Sequence, residues 1–215
     1  MKAAPRFSAW AAVPDGITAL MFAVVWCFPF AFGALSVKTA MLTMLVEFFL
    51  IHATGFFTAL DGNSRVPARL RIGSLAGLSL FYVLMIGAFA WAFGEWWPLL
   101  AFAWLVVGKV LWARGDEAGD DATMWKMAAW AGSVAAYLFA VAVTSIVPLP
   151  RLGMREELQP RFGFGDSMSG AWVEQPQSVV AMGVLYFGLL CAAKVLAARW
   201  QAKRTARAAA APTAS

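Results

Sequence analysis

Thr43, Glu47, His52, Thr54 and Thr58 fall within residues 39–60, a stretch that is otherwise almost entirely apolar. A charged side chain at such a depth in a bilayer costs about 2.5 to 3.5 kcal/mol on insertion scales, so a local interaction has to offset it. At ~100° per residue, Thr43, Glu47, Thr54 and Thr58 lie within about 60° of one another on a helical wheel. The carboxyl therefore belongs to a polar stripe that should face protein or water. His52 points about 140° away from Glu47 and is not a simple facing partner for it.

Depth suggests other partners. At ~1.5 Å per residue, Glu47 lies about 12 Å below the start of its span, and Tyr186 about 12 Å below the start of the last span. His52, Tyr82 and Ser133 fall near 20, 18 and 21 Å from the same face, again at ~1.5 Å per residue. Tyr186 is thus expected level with Glu47, and Tyr82 or Ser133 level with His52.

Two chemistries suit this set. Glu47 can take up and release a proton, with His52 as a second station in a proton or ion route. Alternatively, Glu47 and His52 serve as general acid and base in an intramembrane enzyme acting on a lipid-like substrate. Set against both is a purely structural role, in which carboxyl and imidazole tie helices together through hydrogen bonds of ~0.6 to 2 kcal/mol. The enzyme reading is the weakest, because no nucleophile or metal set accompanies the pair. No catalytic residue, metal ligand or cofactor is assigned.

The elements that must position these residues follow from composition. Of 215 residues, 61% are hydrophobic and 13% charged, whereas a soluble domain is roughly half apolar and a quarter charged. The charges cluster and leave apolar stretches long enough to cross a hydrocarbon core of ~30 Å. Six segments can be marked, at about 17–37, 39–60, 72–94, 98–113, 127–147 and 178–198, so the fold class is an all-α membrane bundle of six transmembrane helices in one domain, 1–207. The fourth segment is the shortest, although Trp96, Trp97 and Trp112 anchor it and Lys109 can snorkel from its end. The first could pass for a signal peptide, but its leader is long and interrupted by Pro14 and Asp15, so an uncleaved helix is expected, kinked at Pro29.

Orientation follows from basic residues. With the amino terminus cytoplasmic, the inner connections hold Lys2, Arg6, Arg65, Arg69, Arg71, Lys109, Arg114, Lys126, Lys194, Arg199, Lys203, Arg204 and Arg207, and the outer ones only Lys38, Arg151, Arg155 and Arg161. Both termini are therefore expected in the cytoplasm, most plausibly of a bacterium, with the chain in its cytoplasmic membrane. Small residues at four-residue spacing in the fifth helix (Ala128, Gly132, Ala136, Ala140) and the Gly73–Gly77 pair in the third place those two helices inside the bundle. The last three helices do not repeat the first three, which counts modestly against a transporter built from inverted repeats.

Other motifs exclude more than they assign. Cys27 and Cys191 sit in separate apolar segments without a CxxC, and a single histidine cannot provide the axial pair of a bis-histidine haem or an ordinary zinc site. No phosphate-binding glycine loop, nucleophile elbow or HExxH is present. Asp116, Glu117, Asp120 and Asp121 lack the spacing of a calcium loop and read as solvated charge. Residues 148–177 form a long outer connection, expected to be a partly ordered solvated loop rather than a lid, in which Arg151 to Leu158 could make a short interfacial helix. Arg199, Lys203, Arg204 and Arg207 suit lipid headgroups on the cytoplasmic face, residues 208–215 read as a disordered tail, and nothing resembles a nucleic-acid reader. The expected partners are membrane lipids and either another membrane protein or a second copy of the chain. The leading functional expectation is a non-enzymatic membrane protein, either a complex subunit or a translocator of a proton or small solute.

Overall fold

The computed structural model describes residues 9–61, 67–103, 120–164 and 170–210, and these residues contain helices and no strand. We name the helices α1 (Val13–Cys27), α2 (Ser36–Asp61), α3 (Ala68–Phe93), α4 (Asp120–Ile146), α5 (Ala171–Glu174) and α6 (Pro176–Ala210). Helical backbone also covers 97–103. The rest of the fourth expected span, 104–113, lies outside the described residues, as do Lys109, Arg114, Asp116, Glu117 and the end of the tail, 211–215. Among the described residues five helical stretches are long and apolar enough to cross a membrane: Trp10–Cys27, which joins α1 to the 3-10 turn Ala9–Ala12 before it, and those of α2, α3, α4 and α6.

The first helix differs most from the sequence expectation. It starts with Pro14 in its first turn, where a missing N–H costs nothing, and it stops at Cys27, ten residues short of the expected end. Pro29 is therefore not a kink inside a helix. It follows the last turn, which closes through a hydrogen bond from the Phe28 N–H to the Val24 carbonyl (2.7 Å), and the chain turns before α2 begins at Ser36. As a result Asp15, read from sequence as an interruption of the leader, lies within the span Trp10–Cys27.

Helix α2 holds the centre. Half of its span is buried within the protein (50%), against 17% for α3 and for α4. Its Met41 and Met44 join Phe22, Val25, Tyr137, Val180 and Tyr186 in one apolar core, while its Phe49 and Ala53 join Tyr82, Ile86 and Phe102 in a second. The expectation that α3 and α4 lie innermost is corrected accordingly. Gly73, Gly77 and Gly132 are exposed, and a Cβ at any of them would meet no atom within 4 Å.

The glycines that matter sit elsewhere and receive aromatic rings. The Gly183 backbone lies against the Phe22 ring, and Gly55 against the Trp130 indole, whose Nε1 donates to the Ile51 carbonyl at 2.9 Å. A methyl group on Gly55 would need to occupy the space of the indole, with Trp130 Nε1 only 2.6 Å from the new carbon. Gly55→Ala is therefore expected to cost about 1 to 3 kcal/mol, while Gly73→Ala is neutral or slightly stabilising. Thermal unfolding of the two variants in the same detergent checks this.

One end of the bundle, called here the upper end, carries the ends of α1, α3 and α4 and the starts of α2 and α6. Residues 148–164 close over it. The Trp26 indole donates to the Pro150 carbonyl (3.0 Å), the Gly153 N–H donates to the Trp26 carbonyl (3.2 Å), and Met154 and Phe162 are fully buried. A 3-10 helix forms at Glu156–Phe162, later in the chain than the Arg151–Leu158 segment expected. This part of the connection is thus a packed cap, because its apolar side chains reach the core beneath it; residues 165–169 lie outside the described residues.

Candidate functional site

Glu47 stands 11 residues into α2 and Tyr186 10 residues into α6, which at ~1.5 Å per residue puts them about 16 and 15 Å below the helix starts. The two side chains meet: the Tyr186 hydroxyl donates to Glu47 Oε1 at 2.7 Å, an ordinary length for an O–H···O hydrogen bond. Both helices begin slightly earlier than the sequence suggested, by three and two residues, so the two groups stay level. Tyr186 is fully buried and Glu47 half-buried.

The tyrosine is held from several sides. Tyr137 of α4 packs edge-on to it with ring centroids 5.4 Å apart, and the Tyr137 hydroxyl donates to the Met44 carbonyl (3.1 Å) one turn before Glu47. The Phe187 ring lies 4.9 Å from the Tyr186 ring and 5.7 Å from Phe22 of α1. Residues of α1, α2, α4 and α6 therefore converge on one hydroxyl–carboxyl contact, and the phenol has little freedom to turn away.

Two further charges lie beside this pair, and sequence reasoning missed both. Asp15 Oδ2 of α1 forms an ion pair with Lys194 Nζ of α6 (2.5 Å), and both charges are close enough to act electrostatically on the Glu47 carboxyl. The Asp15 side chain is 13% exposed and that of Lys194 is 44% exposed, so the pair reaches from the core to the edge of the bundle. Two carboxyls and one ammonium make a cluster whose charges balance when it carries a single proton.

Breaking this pair from one side should be informative. Lys194→Met leaves the enclosed Asp15 carboxylate without its cation, a loss expected to be about 1 to 2 kcal/mol, since the exposed lysine is partly screened. The double variant Asp15→Asn with Lys194→Met should recover most of that loss in a thermal melt, because no unpaired charge remains.

The other expected partners do not assemble. His52 donates from Nδ1 to the Phe48 carbonyl of its own helix (2.7 Å) and lies 4.1 Å from the Phe48 ring, so neither Tyr82 nor Ser133 is its partner. The Ser133 hydroxyl donates to the Ala129 carbonyl, and the Thr43 hydroxyl to Thr39, each within its own helix. Tyr82 is buried among Phe49, Phe81 and Phe102 in the second core. Thr54 is half-buried on α2. Arg199, Lys203, Arg204 and Arg207 are exposed along the lower part of α6, with the Arg204 guanidinium 4.3 Å from the Trp200 ring centroid.

The reason for the misses is geometric. Depth fixes the level of a side chain but not the direction in which its helix turns it. Asp15 could have been found from Pro14, which marks a helix start, and Lys194 from its place within an apolar run.

Chemically, the arrangement offers an exchangeable proton on Glu47, a donor that fits its anion, and a neighbouring ion pair. Among the described residues no three His, Cys, Asp or Glu side chains come together as a metal set. Comparison with known family models, curated proteins and solved structures finds no match to this chain.

Proposed function

We propose that the chain is a multi-pass protein of a bacterial inner membrane that passes protons through a station made by Glu47 and Tyr186. Counting residues 98–113 as a span gives six, with both termini cytoplasmic and the upper end outside, in keeping with the excess of basic residues at the lower end. The observation that carries the reading is the 2.7 Å contact between the Tyr186 hydroxyl and the Glu47 carboxyl near mid-membrane depth, next to the Asp15–Lys194 pair.

An intramembrane carboxyl that keeps a proton-exchanging partner in both its charged and neutral forms can hold a proton without tearing its surroundings apart. Lys194 reaches the bundle edge from the Asp15 side, which offers a way for charge to leave toward the lower face. His52 bonds through Nδ1 to the Phe48 carbonyl of its own helix and is left outside the proposed route. Proton flux into liposomes containing the wild-type chain or Glu47→Gln tests the proposal directly.

A second reading, assembly with another membrane protein or a second copy, is favoured by one observation. Gly73 and Gly77 leave an open, small-residue strip on the exposed side of α3, of the kind that admits a close helix neighbour. Absence of flux in the wild type, with the fold intact, would make this the working reading.

A further inference from the structure

We propose that the upper end of the cleft between α2 and α3 binds one zwitterionic phospholipid, with its phosphate on Lys38, its ammonium on Glu95 and an acyl chain in the groove below. The groove has a volume of about 260 Å³ and is lined by Met41, Leu45, Phe89, Phe93 and Trp172, with the remaining wall from Gly170 and α5. Such walls accept an alkyl chain and offer almost nothing to a sugar or a nucleotide.

The charges lie within one helical turn of its lining, on the side of the upper end. Lys38, Met41 and Leu45 follow one another on one face of α2 at spacings of three and four residues, and Glu95 is two residues beyond Phe93 at the end of α3. Lys38 Nζ and Glu95 Oε1 are 3.2 Å apart, with side chains 11% and 29% exposed. Gly163 of the cap covers the lysine stem, since a Cβ at that position would lie 3.6 Å from Lys38 Cδ. This is a held pair and not a loose surface contact.

Opposite charges select the headgroup. A phosphate facing Lys38 and an ammonium facing Glu95 exchange one ion pair for two and leave no charge unmatched. An anionic headgroup without the ammonium would set its phosphate against the Glu95 carboxylate, a like-charge contact at partly buried depth. The level is also correct for headgroups. Trp91, Trp96 and Trp172 are exposed at the same end, as the interfacial belt of a membrane protein requires.

The test uses the purified full-length chain in mild detergent, with phosphatidylethanolamine or phosphatidylglycerol of identical acyl chains added and retained lipid counted by native mass spectrometry. One phosphatidylethanolamine should be retained, with phosphatidylglycerol bound about tenfold more weakly. Leu45→Trp, which fills the groove, should abolish retention of both. Lys38→Gln with Glu95→Gln, which removes both charges together, should keep chain binding and lose the preference. Equal retention of the two lipids by the wild type overturns the proposal, and so does undiminished retention by folded Leu45→Trp. The wild-type comparison is decisive even if a variant fails to fold.

Discussion

Liposomes carrying Glu47→Gln are expected to take up protons no faster than liposomes without protein, whereas the wild type should show flux that rises with the imposed pH difference. Glutamine keeps the size of the side chain and can still accept from the Tyr186 hydroxyl, so the bundle should be preserved. It cannot release or bind a proton, and the route loses its central station. Tyr186→Phe provides the graded comparison. It removes one hydrogen bond to the carboxyl, a contact worth about 1.5 to 3 kcal/mol, and should slow flux by roughly tenfold or more if that bond stabilises the anion during transfer. His52→Ala should leave the flux near wild type. A wild-type rate indistinguishable from empty liposomes, or a Glu47→Gln rate equal to wild type, would end the proton-route reading.

Gly153→Ala is expected to be the most destabilising single methyl addition in the described chain. Its Cβ would overlap the Cys27 carbonyl oxygen, lie 2.6 Å from the Cys27 carbonyl carbon and 2.9 Å from Pro29 Cδ. Those obstacles are backbone and a proline ring rather than the far end of a flexible side chain, and the neighbourhood is already fixed by the bonds from Gly153 N–H to Trp26 and from the Trp26 indole to Pro150. Relief would require lifting the cap off α1, with Met154 and Phe162 drawn out of the core. A loss of about 3 kcal/mol is expected, equivalent to a melting temperature lower by ~6 °C or more on the scale of a chain this long. Gly132→Ala is the matched control. It lies on an open helix face, where a methyl group meets nothing within 4 Å and helix propensity favours alanine by up to about 1 kcal/mol. Equal melts for the two would show that the cap does not seat on α1 as described.

Much of this architecture can be read from the sequence for a simple reason: the rise of a helix is constant, so a level can be counted. Glu47 and Tyr186 were placed at one depth by residue number alone, and they touch. The same counting put Tyr82 and Ser133 level with His52, yet Tyr82 faces the second core and Ser133 and His52 bond within their own helices. Rotation about a helix axis depends on tertiary packing, which no count supplies. Asp15 was lost for another reason. Hydropathy ran the first helix on to residue 37, whereas backbone chemistry starts it beside Pro14 and stops it before Pro29, and the shift brings an apparent leader charge into the core. Small residues misled as well, because Gly73 and Gly77 match a close-packing pattern while the close approaches occur at Gly55, Gly153 and Gly183. Spacing along one helix does not say which face another helix will meet.

The length of α6 also sets a distance beyond the bilayer. Its 35 residues span about 52 Å at ~1.5 Å per residue, while the hydrocarbon layer needs only ~30 Å. The surplus is about 20 Å of helix, continuous with the part that carries Tyr186 and Lys194. It acts as a ruler. A reporter attached after Arg207 would be held at a set standoff from the lipid surface instead of wandering over it, and a tilt of α6 near Glu47 would reach that reporter as a larger sideways sweep.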